Sequence, residues 1–464
     1  MVFSSMVFLC IFLPVVFLFH LLLPGIRAKN GMLLLASLAF YVYGEPVYVI
    51  LMIASAFVNY LSALLIGKNP AGKKAVMAVN VILNLGVLVL FKYTGFLAES
   101  VNTILGTAIP VPSIRLPIGI SFFTFQAMSY VIDVYRGVTG AQKNFGKVLL
   151  YISFFPQLIA GPIVKYHDIA QEIENRTQTV DGVTDGIRRF IVGLSKKVLI
   201  SNTVGLVADT LFAADVSGLN AAAAWIGAVS YMLQIYFDFS GYSDMALGLG
   251  MMFGFHFHEN FEYPYISASI REFWRRWHMS LSGWFKEYLY IPLGGNRRGK
   301  FRTVVNKMIV FVCTGIWHGA SFNFLFWGIY HGFFLMLEEY IPFIGKKGGK
   351  LKSFFQHVYA LLVVCVGFVF FRADTMKQGC FWIREMFTDF GWKASAMSLT
   401  LQQLTPVYLV TLAAALVAAV PVNSMLKKYK WYEGFTYVLS LAGFALCVLS
   451  LAGGTYNPFI YFRF

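Results

Sequence analysis

Apolar residues run along this chain in stretches longer than a soluble core requires. Runs approaching the ~20 residues needed to cross the hydrocarbon of a bilayer fall near 6–23, 31–43, 47–66, 75–93, 116–135, 147–164, 187–212, 220–237, 242–255, 303–317, 320–340, 354–372, 404–421 and 434–453. Several are too short, or too broken by Gly and Pro, to be simple crossings. Irregular backbone at membrane depth survives only where protein or a wet cavity satisfies it, so the pattern predicts an all-α polytopic membrane protein with roughly ten to twelve full crossings and the remainder re-entrant or interfacial. With no internal repeat and no low-complexity linker, one integral-membrane domain over 1–464 is the economical reading.

Segment 268–300 departs from this pattern. On a helix at about 100° per residue, Arg271, Arg275, His278, Ser282 and Lys286 fall on one narrow polar stripe, and Phe273, Trp277, Trp284 and Tyr288 on an aromatic stripe away from it. This predicts an amphipathic helix too polar to span. It either lies at the interface with snorkelling arginines and an aromatic belt, or presses its polar stripe, centred on His278, against a reaction chamber.

Composition strengthens the membrane reading: 58% hydrophobic and 13% charged, against about 25% charged in soluble domains. The net charge of +15 does not point to nucleic acid, because the cations are scattered over short loops, as the positive-inside rule describes. Arg27 and Lys29, then Lys68, Lys73 and Lys74, then Lys143 and Lys147 alternate with the charge-poor turn at 44–46 and the loop at 96–115, which puts the N-terminus outside. Lys427, Lys428 and Lys430 make the loop before the last span cytoplasmic and the tail 453–464 extracytoplasmic. The first apolar run lacks a preceding basic residue and a small-x-small cleavage site, so it reads as a retained signal anchor.

Candidate chemistry centres on histidine. His318, in Thr314-Gly315-Ile316-Trp317-His318-Gly319-Ala320, is a titratable group in an otherwise apolar run, and ionisable groups at membrane depth are functional candidates by default. His331, thirteen residues on and about 220° round a continuous helix, reads as a satisfied core histidine. Asp238 and Asp244, in Tyr236-Phe237-Asp238-Phe239-Ser240-Gly241-Tyr242-Ser243-Asp244, must find a donor or cation in the interior, with Arg275 or Arg276 the expected partners. The Ser240-Gly241 pair suggests a bent or re-entrant entry. Gly294 and Gly295 permit a tight turn before Arg297, Arg298, Lys300 and Arg302. That basic loop either retains the segment in the cytoplasm or forms an entrance that attracts a phosphate-bearing donor such as coenzyme A. The five cysteines, Cys10, Cys313, Cys365, Cys380 and Cys447, are isolated and lack zinc spacing; no metal site and no Walker or GxGxxG fingerprint is expected.

These residues carry a resemblance. Phe123-Thr124-Phe125-Gln126, Phe155-Pro156-Gln157-Leu158-Ile159-Ala160-Gly161-Pro162, the 237–244 run, Glu259-Asn260-Phe261, Phe273-Trp274-Arg275-Arg276-Trp277-His278-Met279-Ser280-Leu281-Ser282, Tyr290-Ile291-Pro292-Leu293-Gly294-Gly295-Asn296-Arg297 and Trp317-His318-Gly319 occur in one order. The chain resembles the membrane-bound O-acyltransferase superfamily, in its bacterial branch of polysaccharide O-acetylases that includes the membrane subunit of alginate O-acetyltransferase. The resemblance implies a ring-like bundle around a central tunnel in the bacterial cytoplasmic membrane. It implies His318 as the central histidine and His278 as a second, more variable partner; Trp317, Ser240, Asp238, Asp244, Arg275 and Arg276 are read from the residues themselves as structural or supporting, with a catalytic acid the other reading of the aspartates.

In this reading neutral His318 acts as general base on an acceptor hydroxyl, and coenzyme A leaves from acetyl-CoA, a substrate; no permanently bound cofactor is expected. His278 holds the acceptor or stabilises the oxyanion. The tail Tyr456-Asn457-Pro458-Phe459-Ile460-Tyr461-Phe462-Arg463-Phe464 is similar to aromatic endings in this branch, which makes Tyr461 an acyl-carrier candidate through a phenolic ester; an aromatic interfacial anchor is the other reading. Implied partners are membrane lipid, a polysaccharide acceptor and a separate extracytoplasmic acetyltransferase protein. D-alanyl or other acyl transfer to teichoic acid or a lipid acceptor is the nearest rival, and a transporter the rival of another class.

Overall fold

The computed structural model describes residues 1–69, 71–215, 218–341, 348–454 and 456–460, and every regular element among them is helical. Five helices are long and apolar enough to cross a bilayer: Tyr48–Lys68, Lys73–Lys92, Val180–Ala213, Lys350–Arg372 and Tyr432–Ala452. The pair Ala394–Gln403 and Pro406–Ala418, bent by 70°, makes a sixth if it counts as one span. By this criterion the described residues hold fewer crossings than the ten to twelve expected from hydropathy. Other long helices, among them Ile120–Arg136 and Ala221–Met252, bury polar side chains such as Gln126, Asp133, Gln234 and Asp238.

The chain divides into two compact units, one of Met1–Phe190 with Ser243–His258, the other of Ile191–Tyr242 with Glu259–Phe464. The helices used below are α1 (Tyr48–Lys68), α2 (Lys73–Lys92), α3 (Val180–Ser195), α4 (Asn202–Ala213), α5 (Ala221–Met252), α6 (Ile270–Arg276), α7 (Met279–Phe285), α8 (Gly299–His318), α9 (Phe322–Tyr340), α10 (Lys350–Arg372) and α11 (Tyr432–Ala452).

In the first unit, α1 and α2 are joined by buried amides. Asn59 donates to Asn84 Oδ1 at 3.1 Å and Asn80 donates to Asn59 Oδ1 at 3.1 Å. Between apolar helices in lipid such bonds supply attraction that hydrophobicity cannot. In the same unit Asp244 is paired by Arg189, whose Nη2 lies 2.5 Å from Oδ1.

The second unit is built on the α8–α9 hairpin. Gly315 and Gly328 face each other there: a Cβ on Gly315 would lie 2.3 Å from the carbonyl oxygen of Phe324, and one on Gly328 2.4 Å from that of Phe311. Small residues let the backbones approach this closely, which fixes where α8 ends and so where His318 stands.

Two expectations from the sequence are corrected in this unit. The Ser240-Gly241 pair does not break its helix, for α5 is continuous over 32 residues. Gly241 serves close packing instead, since a Cβ there would sit 2.7 Å from the carbonyl oxygen of Gly193. Segment 268–300 is not one helix. It is α6, an extended Trp277, a left-handed His278 at φ +45°, then α7 running into a π-helical turn at Lys286–Tyr290. The break removes the helical phase that placed Arg271, His278 and Lys286 on one stripe.

Replacing Gly315 by Val forces the α8 and α9 backbones apart, and overpacking of this kind costs ~1–3 kcal/mol or more. The thermal midpoint of detergent-solubilised protein, followed by size-exclusion chromatography, is expected to fall clearly for Gly315→Val. Ile316→Ala, next along the helix at a side chain 40% exposed, should stay near the native midpoint, and equal midpoints for the two would remove the close-packing role.

Candidate active site

His318 is the last residue of α8. Its ring is enclosed by aromatic edges: centroids of Trp317, Trp327 and Phe371 lie 5.0, 5.2 and 5.2 Å away. These rings come from α8, α9 and α10, so three helices fix the imidazole. It lines a small cavity, about 20 Å³, together with Ile235 and Phe239 of α5, Trp277, Trp327, Phe368, Phe371 and Ile460. That volume holds about one water, so the chamber is nearly filled.

His278 is 1% exposed and sits where α6 gives way to α7. A non-glycine residue at positive φ is uncommon and strained, and Asn260 holds it there. The Asn260 carbonyl oxygen accepts from the Met279 N–H at 3.0 Å, and its side-chain Oδ1 accepts from the Ser280 N–H at 3.1 Å and the Ser280 hydroxyl at 2.9 Å. Because the Ser280 N–H can only donate, the Asn260 atom facing it is oxygen. His278 Nδ1 lies 3.2 Å from this same oxygen and therefore carries the proton in the neutral ring. The lone pair is left on Nε2, a buried atom with no hydrogen-bond partner among the described residues.

Trp317 lies near both histidines, its centroid 6.1 Å from that of His278 and 5.0 Å from that of His318. Phe239 bridges them as well, 4.6 Å from His278 and lining the His318 cavity. Trp327 adds a buried indole N–H that has no acceptor among the described residues. The site thus assembles a ring nitrogen with a free lone pair, a second imidazole and an N–H donor in apolar surroundings, a set suited to moving a proton and stabilising charge at oxygen.

The acidic residues are not paired as expected. Asp238, 1% exposed, makes its ion pair with Lys197 at 2.6 Å. Arg276 turns to Glu272 at 3.0 Å, and Arg275 is exposed. The i,i+4 carboxylate captures Arg276 at less cost than a buried aspartate would, and Lys197 lies too far back in sequence to be suspected by spacing. Ser240 is buried, its hydroxyl without a hydrogen bond among the described residues. His331 is fully buried against Trp274 and Trp327, as a core residue should be, but both ring nitrogens lack hydrogen bonds among the described residues, so it is not a satisfied one.

Arg297, Arg298 and Lys300 are exposed, in a turn where Gly294, Gly295 and Gly299 take positive φ. Asn306 locks the turn by donating to the Gly295 carbonyl oxygen at 2.9 Å. The loop adjoins the N-terminal end of α8 and His318 closes the other, about 28 Å away at 1.5 Å per residue. These cations therefore act at a distance from the cavity. Tyr461 lies outside the described residues; Ile460, which precedes it, lines the cavity. Among the described residues no group of three or more His, Cys, Asp or Glu side chains is placed to hold a metal ion.

Sequence reasoning missed Lys197, Trp327, Phe371 and Glu338, and it quoted Asn260 within a motif without giving it a role. Glu338 of α9 accepts the N–H groups of Ile270 and Arg271 and so caps α6. The signal for Asn260 and Trp327 was weak: a polar residue among aromatics, and one tryptophan among nine.

The profile of the membrane-bound O-acyltransferase family matches residues 140–347. The chain is 39% identical, over the full length of both, to the protein named "Probable alginate O-acetylase AlgI" of Pseudomonas putida. It is 34% identical to the peptidoglycan O-acetyltransferase of Helicobacter pylori, over 82% of this chain and 78% of that one. Similarity to the teichoic acid D-alanyltransferase of Bacillus subtilis is lower, 28% over 55% of this chain and 68% of that one.

Asn260→Ala strands the Ser280 N–H and the His278 Nδ1–H in the interior, each at roughly 1–3 kcal/mol. It is expected to lower the thermal midpoint more than Ser280→Ala, and to blur the tautomer of His278 in the ¹⁵N spectrum of histidine-labelled protein. A single unchanged Nδ1–H form in Asn260→Ala would show that Asn260 does not set the ring.

Proposed function

The chain belongs to the membrane-bound O-acyltransferase family and is a multi-pass membrane O-acyltransferase; on that premise we propose that it moves an acetyl group from cytoplasmic acetyl-CoA across the bacterial cytoplasmic membrane, for O-acetylation of an exported or cell-wall polysaccharide of the alginate kind. The observation that carries this reading is the His318 cavity, a titratable ring at the end of α8, walled by aromatics and met by the chain's own C-terminal segment. Family membership decides for an enzyme over the transporter. The higher identity, over more of the chain, to an O-acetyltransferase favours acetyl over D-alanyl transfer.

The chemistry follows from the ring states. His318 takes the proton of an attacking hydroxyl, the oxygen bonds to the thioester carbonyl carbon, the C–S bond breaks, and the leaving thiolate recovers the proton from the imidazolium. His278, with its lone pair on Nε2, suits an acceptor hydroxyl that donates to it; in that neutral form it offers no N–H from Nε2 to an oxyanion. The Trp327 indole N–H is the donor we assign to the developing negative oxygen. Tyr461, one residue beyond Ile460, is the hydroxyl that receives the acetyl group first. Its phenolic ester is reactive enough to be passed to a nucleophile of a separate extracytoplasmic transferase or to the polysaccharide. Arg297, Arg298 and Lys300 attract the phosphates of coenzyme A on the cytoplasmic side, and both chain termini lie outside, as the loop charges argue.

Intact-mass analysis of purified protein incubated with acetyl-CoA tests this. A gain of ~42 Da, one acetyl group replacing hydrogen, is expected in the native chain and absent from His318→Ala and Tyr461→Phe. An adduct that persists in Tyr461→Phe would remove the tyrosine from the route. Labelling from carrier-bound D-alanine in place of acetyl-CoA would replace the donor.

A further inference from the structure

The C-terminal segment is held by a run of specific polar contacts. The Tyr456 hydroxyl donates to the carboxylate of Asp209, which also receives the Arg372 guanidinium at 2.7 Å. The Asn202 amide donates to Asn457 Oδ1 at 3.2 Å. The Lys197 ammonium donates to the Pro458 carbonyl oxygen and, at 2.9 Å, to Asn202 Oδ1. Phe459 lies on the ring of Tyr242, centroids 4.7 Å apart, and the Ile460 N–H donates to Asp238 Oδ2 at 2.8 Å. From Tyr456 to Ile460 every residue is engaged, and the last of them lines the His318 cavity.

Lys197 and Asp238 are the centre of this run. They are 2% and 1% exposed and form an ion pair at 2.6 Å. Burying two charges costs several kcal/mol per ion unless the remaining donors and lone pairs are also satisfied. The contacts of Lys197 among the described residues are Asp238, Asn202 and Pro458, and those of Asp238 are Lys197 and Ile460. Each partner of the pair therefore has one contact that only the tail supplies. A buried ion pair completed by a distant chain end is built around that end. The turn that carries Lys197, Lys196–Ser201, is π-helical, a local distortion that recurs at functional positions.

We propose that Lys197 and Asp238 form a docking clamp that seats the C-terminal segment in the His318 cavity. They are positioning residues: they hold the tail's backbone, and through it the residues that meet the reacting centre. With the clamp engaged Ile460 fills part of the chamber. With it released the tail withdraws and the chamber opens toward α5. The clamp itself stands on the contacts above; only its catalytic consequence rests on the acyl-transfer reading.

Hydrogen exchange read by mass spectrometry on the full chain in detergent decides between a clamp and a purely structural pair. The double variant Lys197→Met/Asp238→Leu removes both charges together, so neither is left orphaned in the interior. Peptides covering 456–460 are expected to exchange roughly tenfold faster than in the native chain, with α8 and α9 peptides unchanged. Slow tail exchange in the folded double variant overturns the proposal. Should that variant fail to fold, Tyr456→Phe/Asn457→Ala removes the tail's other side-chain contacts without touching the pair; native-like exchange of 456–460 then shows that the pair holds the tail, and exchange as fast as in an unprotected peptide overturns the clamp. Acetyl loading is measured on the same samples. If the native chain loads Tyr461 and the freed tail loses loading by tenfold or more, clamp and carrier both stand. If the native chain never loads, the carrier reading fails while the exchange data still decide the clamp.

Discussion

A polar group carried into an apolar helical bundle must bring or find its partner, and that constraint organises this protein. The asparagines of α1 and α2 answer it with one another, Asp244 with Arg189, and Asp238 with Lys197. Where an ordinary helix would leave a polar side chain stranded, the backbone changes instead. His278 takes a left-handed conformation so that Asn260 can reach both its ring and the first turn of α7. Polar atoms without a hydrogen bond among the described residues then stand out against this background, and several of them, His278 Nε2, the Trp327 indole N–H and the Ser240 hydroxyl, belong to the unit that holds the His318 cavity.

Much of this was legible in the sequence and some of it could not be. Apolar run length predicted an all-helical membrane chain because in lipid the helix is one of the few ways to satisfy a backbone. His318 was legible for the same reason, as a titratable ring with no local motive to be there. His278 was found by a helical projection that the structure does not follow. The projection drew attention to His278 and misplaced its neighbours, because the break at Trp277 and His278 resets the phase of everything after it. Partners distant in sequence were illegible. Spacing cannot show that Lys197 meets Asp238 forty-one residues on, nor that both meet a backbone near residue 460. The Ser240-Gly241 pair misled because a glycine in a helix has two uses, bending and close packing, and only the neighbour's position, here the Gly193 carbonyl, tells which.

The two histidines differ in what surrounds them. His278 is tethered through Nδ1 to an oxygen that also takes two donors from Ser280, so its proton is fixed on one side and its lone pair on the other. His318 is positioned by ring edges from three helices, which set its plane through shape. In the proposed reaction a locked tautomer suits His278 to hold a hydroxyl. Trp317 packs against both rings.

The small volume beside His318 ties this chemistry to the tail. A cavity of about 20 Å³ admits little more than a water molecule, and the acetyl thioester of the proposed reaction, with its attacking oxygen, needs several times that. Most of the walls, Phe239, Trp277, Trp327, Phe368 and Phe371, belong to packed helices or to the buried turn before α7, and moving them would disturb the core. Ile460 is different, for it sits on a short irregular segment whose backbone is held by hydrogen bonds to the Lys197–Asp238 pair. Space in the chamber is thus most cheaply made by moving the wall on a short irregular segment, which polar contacts hold in addition to its packing in the core. The same contacts that let the tail close the chamber leave it as the element that can open it.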